Sequence, residues 1–142
     1  MKLLAWVDGG SRGNPGPAGY GVLICGADAR PRLHLWGFID KTTNNVAEYR
    51  GMIAALDAAL ELGAAELEVR TDSELMQRQI AGIYKVRQPH LQDLMAEVRG
   101  RAAKLSSFVV HHVRREQNRV ADMLANRAMD RRASGREAPE ER

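Results

Sequence analysis

A single cysteine, Cys25, is the only thiol in the 142 residues of this chain. An intrachain disulfide and a cysteine-bound zinc cluster are thereby excluded, and the reducing cytoplasm is the expected setting. No apolar run reaches the roughly 18 residues that a membrane-spanning helix needs. The first ten residues turn polar too early for a secretory leader, so none is expected. The Gly-rich stretch after Asp8 is not followed by Gly-Lys-Ser/Thr, which argues against a nucleotide P-loop. Acidic charge is also in slight deficit, with 18 acids against 21 Lys and Arg. That net charge of +3 would not by itself indicate nucleic acid. Its distribution says more. Between Arg114 and Arg132 six arginines face three acids, an excess equal to the whole net charge. Such a stretch could meet phosphates, or it could be a solvated helix face.

What is present fits one domain over residues 1–130, followed by a charged tail, 131–142, expected to be disordered because it has no apolar periodicity. Lys2–Val7 reads as a buried strand that ends at Asp8. The next eleven residues, Gly9–Gly19, hold too much Gly and Pro for a regular element. Tyr20–Cys25 and Arg32–Ile39 read as two further strands, making an antiparallel meander. Val46, Tyr49, Met52, Ile53, Leu56 and Leu60 recur at helical spacing up to Gly63. Glu66–Thr71 alternates like a strand. A short helix, about Ser73–Ala81, and a helix from Pro89 come next, then a strand over Ser107–Val113. Asn118 starts a last helix that turns Val120, Ala121, Leu124, Ala125 and Ala128 inward. Trp6, Trp36 and Tyr49 are read as core, and His111 and His112 as strand residues. Strands alternating with helices after a meander predict an α/β fold: a mixed five-stranded sheet, three antiparallel strands and then two more, with helices on both faces.

Four acids sit where chemistry often sits. Asp8 and Asp72 end strands one and four. Glu48 is read in the first turn of the first long helix, and Asp122 in the first turn of the last. If strands one and four are neighbours, Asp8 and Asp72 lie side by side at their C-terminal ends, a frequent site position in α/β sheets. Hard divalent cations take oxygen ligands, and a pair of them can clamp the attacking and leaving oxygens of a phosphodiester. Singly, each acid has a plainer reading, as a solvated strand end or a complement to a helix dipole.

The motifs around these acids resemble those of type 1 ribonuclease H. Asp8-Gly9-Gly10-Ser11-Arg12-Gly13-Asn14-Pro15-Gly16-Pro17 is similar to that family's opening segment. Thr42-Thr43-Asn44-Asn45 followed by Glu48, Thr71-Asp72-Ser73, and Asn118 followed by Ala121-Asp122 and Leu124-Ala125 are similar to its other three. The resemblance implies an RNase H-like fold and an endoribonuclease that cuts the RNA strand of RNA–DNA hybrids, leaving 5′-phosphate and 3′-hydroxyl ends. Asp8, Glu48, Asp72 and Asp122 would be both catalytic and metal-binding, holding two Mg²⁺ or Mn²⁺ ions. Gly9, Gly10, Asn14, Asn44, Asn45 and Ser73 would meet the hybrid, and Thr43 would grip a DNA-strand phosphate. Thr43-Asn44-Asn45 also reads as ordinary helix-capping chemistry.

The chain departs from some relatives in two places. The link Arg114-Arg115-Glu116-Gln117 is too short for their histidine loop, and Arg115 is the candidate replacement, able to neutralise phosphate but not to shuttle a proton. The segment Gly82–Gln88 has no Trp and only Lys85 and Arg87 as basic residues, where those relatives carry a basic protrusion. A separate hybrid-binding domain ahead of Met1 is not expected, nor is a required protein partner, and a monomer is the default. Two other readings share these residues. Another nuclease of the same fold would lack the Gly-Asn-Pro-Gly-Pro and Thr-Thr-Asn-Asn segments, and a non-catalytic hybrid-binding module would favour a less acidic groove.

Overall fold

The computed structural model describes residues 1–139. Its elements are β1 (Lys2–Ser11), β2 (Gly16–Gly26), β3 (Pro31–Thr42), α1 (Asn44–Glu61), β4 (Glu66–Thr71), α2 (Glu74–Ile80), α3 (Pro89–Ala102), β5 (Ser107–His112), α4 (Arg119–Arg131) and β6 (Gly135–Glu137), with a 3₁₀ turn at Arg115–Gln117 before α4. They form one mixed sheet in the order β5-β4-β1-β2-β3-β6. β1, β2, β3 and β6 pair antiparallel, and β4 and β5 run parallel to β1.

Alternation along β1 decides its two faces. Leu3, Ala5 and Val7 are fully buried, and they join Val22, Ile24, Met52, Leu56 and Val69 in the main core beneath α1 and α3. Val98 and Leu94 of α3 complete that layer. The other face is crossed by α4, whose Leu124 and Ala128 pack with Trp36. Close approach of α4 depends on missing side chains. A Cβ on Gly21 would collide with the Ala121 carbonyl, and one on Gly19 would lie 3.0 Å from the Ala125 carbonyl.

The mixed α/β sheet with helices on both faces is as the sequence predicts, but several details differ. The sheet has six strands rather than five. The Gly- and Pro-rich stretch is not irregular throughout: β1 runs on to Ser11 and β2 starts at Gly16, paired Ser11↔Ala18 through Leu3↔Gly26. Glycine weakens a strand by its own propensity, yet nine paired positions with one buried face outweigh that. The stretch expected to be a disordered tail closes α4 at Arg131 and adds β6 to the edge of β3, where His34 pairs with Glu137 and Trp36 with Gly135. Residues 140–142 of that expected tail lie outside the described residues. Trp6 is not core. It is half-buried on the α4 side of the sheet, with the Arg70 guanidinium 5.1 Å from its ring centre. Val120, expected to face inward, is 37% exposed. No helix among the described residues is long and apolar enough to cross a membrane.

Candidate active site

Parallel pairing of β1 with β4 matches Val7 to Thr71. The residue after each is an acid, so Asp8 and Asp72 emerge together at the C-terminal edge of the sheet. Backbone packing brings the third acid. A Cβ on Gly9 would lie 2.6 Å from both the Ala47 carbonyl carbon and the Glu48 nitrogen, so only glycine lets α1 close onto the end of β1 and carry Glu48 to Asp8. Gly9 is therefore spent on packing against α1, whereas Gly10 faces open space with only the Asn44 Oδ1 near it, at 3.9 Å. Because α1 starts at Asn44, Glu48 sits in the second turn and not the first, which removes the helix-dipole reading for it. Asp122 does lie in the first turn of α4. That helix is pinned by Asn118, 1% exposed, whose Nδ2 donates to the Val7 carbonyl at 2.9 Å. The Asn118 side chain makes no helix cap, and its buried Oδ1 has no partner among the described residues.

The result is one open crevice of about 660 Å³, lined by all four acids and by Gly9, Gly10, Asn44, Ser73 and Arg115 among the predicted site residues. Its electrostatics follow from crowding. Burial first, then the charge of Asp72, then the hydrogen bond and charge of Asp122 push the Asp8 carboxyl up from 3.8 to about 8, against a smaller opposing effect of the Gly9 backbone N–H. Burial also raises Glu48 from 4.5 to about 7, with Asp72 adding to the shift and a hydrogen bond with Ser73 opposing it.

The remaining predicted residues frame the crevice. Thr43 is the N-cap of α1, its Oγ1 accepting from the Val46 N–H at 3.3 Å, so the capping reading holds. Ser73 caps α2 in the same way, accepting from Met76 at 3.1 Å. Asn14 Oδ1 accepts from the Asn44 N–H at 3.1 Å, tying the β1–β2 hairpin to the start of α1. Thr43, Asn14 and Asn45 do not themselves line the crevice. Arg115 stands on its rim beside Arg114 and His112.

Sequence reasoning missed Ser11, Arg12 and Asn126, which also line the crevice. Ser11 donates through both N and Oγ to Asn44 Oδ1, at 2.7 and 2.9 Å. A backbone N–H can only donate, so Asn44 presents its Nδ2 to the crevice. Asn126 had one signal in the chain, its place one helical turn after Asp122.

The donor set suits a hard cation. It is all oxygen, and its mutual repulsion is what positive charge would relieve. Among the described residues no three carboxylate, imidazole or thiolate side chains close on one point to form a cage.

Comparison with known proteins places the chain in a family. Residues 6–128 match the family model described as reverse transcriptase-like. The chain is 47% identical over 131 residues to the bifunctional protein Rv2228c of Mycobacterium tuberculosis, covering 92% of this chain. It spans only 36% of that relative's length. It is 33% identical to the ribonuclease H of Coxiella burnetii, with 90% of each chain covered. Among solved structures, LC11-RNase H1 in complex with an RNA/DNA hybrid superposes with a TM-score of 0.88 at 40% identity, covering 92% of this chain and 98% of that one.

Proposed function

Because the chain belongs to the reverse transcriptase-like family and, within it, to the type 1 ribonucleases H, we propose that it is an endoribonuclease that hydrolyses the RNA strand of RNA–DNA hybrids. The observation that carries this is the convergence of Asp8, Glu48, Asp72 and Asp122 in one open crevice, crowded enough to hold a proton on Asp8 to about pH 8. In this reading the four acids hold two divalent cations, Mg²⁺ or Mn²⁺, which when bound supply positive charge to a scissile phosphate and lower the pKa of an attacking water.

The chain's own residues do the rest. Asp8 and Asp72, fixed by paired strands, give the site a rigid floor. Gly10 offers backbone to the RNA strand without a side chain in the way. Asn44, with its oxygen already taken by Ser11, offers only donors. Donors suit a minor groove that presents acceptors and 2′-hydroxyl oxygens. Asn14, Asn45, Ser73 and the backbone of Gly9 belong to the same contact surface. Thr43, at the head of α1, grips a phosphate of the DNA strand. Arg115 neutralises phosphate at the rim and moves no proton. Products carry 5′-phosphate and 3′-hydroxyl ends. The domain acts as a monomer in the cytoplasm.

The test is a labelled hybrid incubated with and without Mg²⁺ or Mn²⁺, followed by analysis of the product ends. Cleavage that stops on chelation is expected, with Asp8→Asn and Asp72→Asn each losing at least about a thousandfold in kcat, the scale on which a reaction centre acting as a unit fails. Near-normal activity in either variant would overturn the metal assignment. Binding without cleavage in either cation would favour the non-catalytic module.

A further inference from the structure

Asp122 lies in hydrogen-bond contact with Asp8, and it has a second source of orientation. The neighbours of α4 provide it. Arg12, from the end of the β1–β2 hairpin, places Nη2 2.6 Å from Asp130 Oδ1 and 3.3 Å from Asn126 Oδ1. A guanidinium only donates, so the Asn126 atom facing it is the oxygen and the amide orientation is settled. Its Nδ2 then points the other way, 3.1 Å from the Asp122 carbonyl and 3.5 Å from Asp122 Oδ1. Arg12 donates to both Asp130 and Asn126, and Asn126 donates on to Asp122. This run of bonds links the hairpin that continues from Asp8 to the helix that carries Asp122, across 114 residues of sequence. Arg12 also polarises the amide it touches, which strengthens the Nδ2 donor.

We propose that Asn126, oriented by Arg12, is a positioning residue for Asp122: it holds that carboxylate in the rotamer that faces the crevice and so sets the site's affinity for a divalent cation. The inference rests on the nuclease reading for its purpose but not for its test. A bond confined to one turn of helix would serve helix stability alone. Here the acceptor oxygen is committed to a residue of another element, and both Arg12 and Asn126 line the crevice. Asn126 touches neither substrate nor reacting atoms in this account. It acts through Asp122.

The variants are Asn126→Leu, Arg12→Met and the pair together, in the full chain. Mn²⁺ affinity is measured by titration calorimetry, the Asp122 χ1 rotamer by NMR scalar couplings, and hybrid cleavage as separate kcat and KM. Asn126→Leu is expected to weaken Mn²⁺ binding and lower kcat by about tenfold each, the usual scale for loss of a ligand's supporting bond, with KM within about twofold. Asp122 should then average between rotamers. Arg12→Met should give a smaller loss of the same kind and add nothing in the Asn126→Leu background, since both act on one bond run. Unchanged Mn²⁺ affinity and a single Asp122 rotamer in Asn126→Leu would overturn the inference, whatever its melting temperature. If Asn126→Leu does not fold, Arg12→Met on the exposed hairpin decides: weaker Mn²⁺ binding supports the role, and unchanged binding removes it. Rotamer and Mn²⁺ affinity are read without hybrid, so failure of the unmodified chain to cut hybrid sinks the nuclease reading separately.

Discussion

Asp8 and Glu48 are shifted by burial first and by neighbouring carboxylates second. In the unfolded chain their carboxyls ionise near 3.8 and 4.5, whereas in the fold they hold a proton to about 8 and about 7. Between those limits the folded state binds more protons than the unfolded one. Their contribution to the stability of the metal-free protein is therefore full below about pH 4 and is lost as pH rises through 7 to 8. Asp8→Asn removes the largest part of that loss. In thermal melts with chelator it should be more stable than the unmodified chain at pH 9, on the order of a few kcal/mol, with the gap closing toward pH 4. A gap that stays constant with pH would show that Asp8 is not the group responsible. At this scale the four acids were legible because each sits in its own short motif. Arg12 and Asn126 were not, because their bond joins positions far apart in the chain.

Among the elements, α4 is the one whose seating decides whether Asp122 reaches the site. It rests on β2 at Gly19 and Gly21, and Asn118 ties its start to β1. Gly21→Ala puts a methyl into the Ala121 carbonyl, where backbone and not a flexible side chain must give way. It should cost about 2–3 kcal/mol in urea denaturation and abolish most hybrid cleavage by displacing Asp122. Gly10→Ala is the control in the opposite sense. Its methyl meets only the Asn44 oxygen at 3.9 Å, so stability should stay within about 0.5 kcal/mol while KM for hybrid rises. If Gly10→Ala left KM unchanged, Gly10 would drop out of the substrate surface. The limits expected for β4 are the ones observed, since alternation there is regular and Asp72 marks its end. β1 and β2 were cut short, because composition is local and the ladder that extends them is not.

For the whole molecule, the C-terminal strand shows how a polar segment acquires structure. Gly135 lies against the Trp36 ring, Arg127 bonds Glu137 at 2.9 Å, His34 meets the same carboxylate at 3.3 Å, and Arg136 reaches Glu61 at 3.2 Å. These contacts seal the β3 edge, far from the crevice. Ending the chain after Ala133 should lower stability by about 1–2 kcal/mol, mostly by uncovering Trp36, because exposed ion pairs contribute little. Cleavage rate below the melting temperature should be unchanged. A large loss of activity there would mean that β6 supports the site through α4.

By itself the chain determined the kinds and order of its elements as far as α4 and marked four acids as candidates, because strand alternation, helical spacing and compact motifs are written in neighbouring residues. Tertiary structure alone decided that β1 lies beside β4 with Val7 against Thr71, that the bare backbone of Gly9 and Gly21 lets α1 and α4 close in, and that Asn126 is turned by Arg12. Repulsion among carboxylates and burial of their charge depend on distance in space, and residues 8, 48, 72 and 122 acquire those distances only when the sheet is assembled.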